Sequence, residues 1–98
     1  MYLVNIILKP QAAQAENAAE MFDRHRAWFA DYFQKDRFLM LAPYLDQEHA
    51  GVIIARAKNR AELDNILAED VYYPDLADYE VREFKAAMAA DARPFQGQ

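Results

Sequence analysis

This chain of 98 residues contains no cysteine, no serine and no threonine. The missing cysteine excludes disulfides, thiolate metal sites and redox thiols. Together the three absences exclude Ser, Thr and Cys nucleophiles, and with them the triads of hydrolases. A phosphate-cradling P-loop is excluded as well, because it needs Ser or Thr and a glycine pattern, and the only glycines are Gly51 and Gly97. Hydroxyl phosphorylation is confined to tyrosine. Long hydrophobic runs are also missing: no stretch approaches the roughly 18 apolar residues that span a bilayer. The opening run Met1 to Leu8 is short and has no basic leader, so a cytoplasmic location is expected. The net charge is −5 and the eleven Lys and Arg residues are scattered, with no basic patch. Neither nucleic acid nor an anionic membrane is therefore an expected partner.

What is left for chemistry is His, Asp, Glu, Lys, Arg and Tyr, a set suited to general acid–base work rather than acyl transfer. No cofactor motif is present. Hydrophobic residues make up 54% of the chain and glycines number two, which favours a compact fold rich in regular elements. The length suits a single domain over 1–98 with one modest core.

The pattern predicts a strand over 2–9, closed by Pro10, and a long helix over 12–34. A second strand is expected over 37–44 and a third over 51–58, joined as a hairpin by a polar connection. Asn59 is placed to cap a second helix over 60–69, with Leu63, Ile66 and Leu67 on its buried side. A loop over 70–75 leads to a last strand over 78–86. The tail from residue 87 is alanine-rich, with helical character expected first and a loose end after it. The order β-α-β-β-α-β is that of the ferredoxin-like α+β fold: an antiparallel four-stranded sheet with two helices on one face.

Alternation along the strands adds a second message. Tyr2, Val4, Ile6 and Leu8 point one way and Leu3 and Ile7 the other; Phe38 and Met40 oppose Leu39 and Leu41; Val52 and Ile54 oppose Ile53 and Ala55. Both faces of the sheet are apolar, yet two helices cover only one, and a solvated face would alternate with polar residues. At about 25 cal/mol per Å², covering even a few hundred Å² is worth several kcal/mol. A homodimer in which two sheets pack into an α+β barrel is the expected solution.

One residue breaks the apolar face of the first helix. His25 stands among Ala18, Met21, Phe22, Trp28, Phe29, Tyr32 and Phe33, which recur at helical spacing. An imidazole there is costly to bury unless a polar group meets it. The candidate partner is the segment Glu69-Asp70-Val71-Tyr72. Two readings of His25 stand side by side: a general acid or base, and a hydrogen-bonded core histidine. The aromatics divide in the same way, between core packing and the walls of a pocket made of Phe22, Trp28, Phe29 and Tyr72. Asp46, Glu48 and His49 lie close together in the hairpin connection, but without the spacing of a metal motif they read as a solvated turn.

The chain resembles the YciI-like (YCII-related) proteins of the dimeric α+β barrel superfamily, from Met1 to about Lys85. The carriers are Tyr2-Leu3-Val4 opening the first strand, His25 in the first helix and Leu41-Ala42-Pro43 ending the second strand. Gly51 opens the third strand, Asp70-Val71-Tyr72 follows the second helix, and Tyr79-Glu80-Val81-Arg82-Glu83-Phe84 forms the last strand. Three positions depart from the family pattern: Ala42 stands for the usual Gly, Val71 for Pro, and Phe22 for an Arg often found three residues before the histidine. The resemblance implies a His25–Asp70 pair as the active site, with His25 as acid or base and Asp70 orienting it. It implies proton transfer, isomerisation or elimination on a small organic ligand. The rival is a non-catalytic binding or interaction module whose His25–Asp70 contact is structural.

Overall fold

The computed structural model describes residues 1–90. It is an α+β fold of the ferredoxin-like type, built on one antiparallel sheet. The strands are β1 (Tyr2–Leu8), β2 (Phe38–Pro43), β3 (Ala50–Ala55) and β4 (Ala77–Glu83), in the spatial order β2-β3-β1-β4. The helices are α1 (Pro10–Ala13), α2 (Ala18–Gln34) and α3 (Arg60–Leu67).

The expected first helix is in fact two. Pro10 occupies the first turn of α1, where its missing N–H costs nothing. The chain then turns at residues 14–17 before α2 begins. The physical reason lies in what must be buried. Ala12 and Met21 are both core residues, but at about 100° per residue they would stand on opposite sides of one straight helix. The break lets both face inward. Within α2, Met21, His25 and Trp28 keep the spacing of a single buried stripe.

Asn59 caps α3 as expected, its side-chain oxygen accepting from the Glu62 N–H at 2.9 Å. Leu63, Ile66 and Leu67 then pack into the core with Trp28 of α2 and with Tyr2, Val4, Ile6 and Ile53 of the sheet. Residues 84–90 carry no regular structure, so the helical expectation for the start of the tail is not met there. Four alanines in that stretch favour a helix, but residues 85–90 are exposed and pack against nothing in the core, and tertiary packing stabilises short helices more than propensity does. The rest of the tail lies outside the described residues.

Register shows which face each strand residue takes. Val4 pairs with Ile53 and Val81, and Ile6 with Gly51 and Tyr79, so these residues share the face covered by the helices. Leu3, Ile7, Val52 and Ile54 take the opposite face and remain partly exposed. In β2 simple alternation fails. A bulge between Phe38 and Met40 puts Phe38 opposite Ala55 and Leu41 opposite Ile53, so both stand on the helix side while Met40 joins Ile54 on the other. An extra residue in one strand reverses the alternation beyond it. The outcome matters for the site, because it turns Leu41 towards α2.

Gly51 is required by close approach. A Cβ there would meet the Ala42 carbonyl oxygen at 2.9 Å and Pro43 Cα at 3.3 Å. The glycine lets the end of β3 close on the end of β2.

Candidate functional site

His25 projects from the buried stripe of α2 and is only 6% exposed. Four aromatic rings surround it: Phe29 edge-on at 4.2 Å between centroids, Tyr72 at 4.9 Å, Trp28 stacked at 5.6 Å and Phe22 at 6.4 Å. These are the four aromatics singled out in the sequence. Phe22 and Phe29 line an adjoining cavity, whereas Trp28 and Tyr72 lie in the core cluster and outside the cavity lining. Trp28 is fixed there by its indole N–H, which donates to the Ile66 carbonyl at 3.0 Å.

Asp70 reaches His25 from the end of α3. After Leu67 the backbone tightens: the amides of Ala68, Glu69 and Asp70 donate to the carbonyls of Asp64, Ile66 and Leu67. Asp70 is thereby carried inward, and its side chain is fully enclosed. One carboxylate oxygen, Oδ1, lies 2.6 Å from His25 Nδ1. The other, Oδ2, accepts from the Tyr79 hydroxyl at 2.7 Å. The tautomer follows from this geometry. A carboxylate oxygen accepts, so Nδ1 donates in this contact and Nε2 is the ring nitrogen that Asp70 does not engage. Burial, and then the hydrogen bond to Asp70, push the Tyr79 phenol well above its ordinary range, so the hydroxyl stays a donor. Burial and the Asp70 charge also push Tyr72 up.

The cavity measures about 650 Å³ and lies between α2 and the hairpin of β2 and β3. Its walls are mostly apolar, with Ile6, Leu8, Phe29, Leu41 and Ile53 prominent, and His25 forms part of them. Its polar rim is made by Arg26, Gln47, Glu48 and His49. A concave apolar space with a few polar groups, one of them titratable, is the usual form of a small-molecule site. A smaller hollow of about 430 Å³ adjoins it, lined by Arg26, Phe29, Ala30, Phe33 and Leu41.

Sequence reasoning missed two parts of this arrangement. Tyr79 was visible only as part of a strand, although alternation sets it opposite Asp78 and Glu80 and hence inward. The rim was not anticipated: Glu48 and His49 read as a solvated turn, and they are exposed turn residues, but they also border the cavity. The His49 backbone adopts φ 56°, and its carbonyl accepts from the Leu8 amide at 2.9 Å, which ties the connection to the end of β1. Among the described residues no group of three or more His, Asp or Glu side chains is arranged to hold a metal ion.

Fold and site together define a ferredoxin-like α+β protein with a buried His–Asp pair beside a small-molecule-sized cavity. The model of the YCII-related domain matches residues 1–85 of this chain. The chain belongs to that family. A search of curated proteins finds no match.

Proposed function

We propose that this YCII-related protein is an acid–base catalyst for a small organic molecule bound in the 650 Å³ cavity. The observation that carries the reading is that His25 is both held by Asp70 and part of the cavity wall. His25 Nε2 takes a proton from a carbon or heteroatom of the ligand. In an isomerisation the imidazolium returns that proton to another atom of the same molecule; in an elimination a leaving group departs with its bonding electrons. Asp70 holds the Nδ1 tautomer and stabilises the imidazolium, as a carboxylate does in other His-dependent sites. Phe22 and Phe29 hold the apolar body of the ligand against the imidazole.

The working form in this reading is a cytoplasmic homodimer. Leu3, Ile7, Met40, Val52 and Ile54 give the open sheet face an apolar area that a second copy would cover. A β4 edge of Asp78, Glu80 and Arg82 borders that area on the same face.

A non-catalytic binding module is the second reading. Its support is that Asp70 alone satisfies Nδ1, with no substrate needed. A thermal-shift screen of small organic molecules, run on wild type and on His25→Ala, separates the two. The catalytic reading expects ligands that stabilise wild type, are consumed by it, and persist unchanged with His25→Ala. Ligands bound but never turned over by wild type would favour the binding module.

A further inference from the structure

We propose that Tyr79 is a positioning residue of the site: by donating to one oxygen of the Asp70 carboxylate its hydroxyl fixes the orientation of that group and tempers the charge on the other oxygen, the one that faces His25. The inference rests on the acid–base reading of His25 and adds to it the group that sets how Asp70 acts.

Asp70 stands in the turns between α3 and β4, outside any regular element. A carboxylate on such a segment is free to rotate unless both oxygens are engaged. Here both are, by donors from different parts of the fold. His25 comes from α2 at 2.6 Å and Tyr79 from β4 at 2.7 Å. Tyr79 is itself held by the sheet, since its backbone pairs with Ile6 inside the β1–β4 ladder. The Tyr73 ring packs against it at 5.3 Å. With the phenol in place the Asp70 side chain is closed to solvent, so its second oxygen is met by the hydroxyl and not by bulk water. Among the described residues no Lys or Arg pairs with Asp70. The groups facing the phenol are Asp70, Tyr72 and Tyr73 from the turns and the apolar Ile6 from β1.

The consequence is electronic as well as geometric. A donor on Oδ2 draws charge away from Oδ1 and weakens its pull on the Nδ1 proton. Removing that donor concentrates charge on Oδ1 and strengthens the bond to His25. Strengthening the donor does the opposite.

The test reads the Nδ1 proton of His25 by NMR in protein carrying isotope-labelled histidine, with His49→Gln used to assign the two rings. Tyr79→Phe is expected to move this resonance downfield. Replacing Tyr79 with 3-fluorotyrosine, a more acidic phenol of nearly the same size, is expected to move it upfield. In an Asp70→Asn background neither change should affect the ring-nitrogen resonances of His25, because the phenol acts only through the carboxylate. An Nδ1 signal that neither change moves, or that moves equally with Asp70→Asn, overturns the proposal. If Tyr79→Phe does not fold, the fluorinated residue alone decides. The measurement needs no substrate, so it stands or falls separately from the ligand screen with His25→Ala.

Discussion

The Nδ1 atom of His25 lies 2.6 Å from Oδ1 of Asp70, and the carboxylate has no exposed surface. A titratable pair so enclosed is costly to break. Removing one member leaves the other desolvated and without its partner.

Asp70→Ala is therefore expected to destabilise the fold by about 3–5 kcal/mol, since it strands both the imidazole N–H and the Tyr79 hydroxyl. Asp70→Asn, which keeps one acceptor, is expected to cost about 1–3 kcal/mol. Urea denaturation measures both. A loss below about 1 kcal/mol in Asp70→Ala would show that the contact contributes little to the fold.

Filling the cavity tests whether it is the ligand site. Leu41 stands on the cavity wall and is 37% exposed, so a larger side chain there has room to extend. Leu41→Trp is expected to leave the melting temperature near that of wild type while abolishing the thermal shift from any ligand that binds wild type. A retained shift would place the ligand elsewhere.

Gly51→Ala is expected to cost about 1–3 kcal/mol, because the added methyl meets backbone atoms that cannot swing away. Chemical denaturation reads the loss. A neutral effect would mean that β2 and β3 part easily at this end.

The sheet-to-sheet dimer makes a sharp forecast for Ile54, which faces away from the helices. Ile54→Lys places a charge in the middle of the proposed contact and is expected to yield monomers. Light scattering on wild type and variant is the measurement. Wild type running as a monomer would end the barrel reading.

Alkaline pH should weaken the fold through phenols whose pKa the fold raises. Burial first, then the hydrogen bond to Glu69, push Tyr32 up to about 12. A phenol with a raised folded pKa stabilises the protein fully below its unfolded value. That contribution is lost as pH rises through the folded one, because the unfolded chain releases its proton first. Stability is therefore expected to fall between about pH 10 and 12, and less steeply in Tyr32→Phe. Denaturation midpoints at several pH values give the slope. Identical slopes for the two proteins would remove Tyr32 as a cause.

Much of this fold was legible in the sequence because its signals are local. Strand alternation, the Asn59 cap and the stripe of Met21, His25 and Trp28 each arise within a few residues. The sequence alone determined the β-α-β-β-α-β order and the range of chemistry left once Cys, Ser and Thr are absent. It also marked His25 as a polar residue in need of a partner. Other features depended on distant parts of the chain meeting. Ala12 and Met21 break the first helix only because both must reach one core. The bulge after Phe38 is set by pairing with β3, and it turns Leu41 inward. The distance from Asp70 to His25, the engagement of Oδ2 by Tyr79 and the opening of a cavity beside the imidazole were decided by tertiary structure alone. Hydrogen bonds and cavities depend on positions in space, and residues 45 apart in the chain acquire theirs only when α2, α3 and β4 pack together.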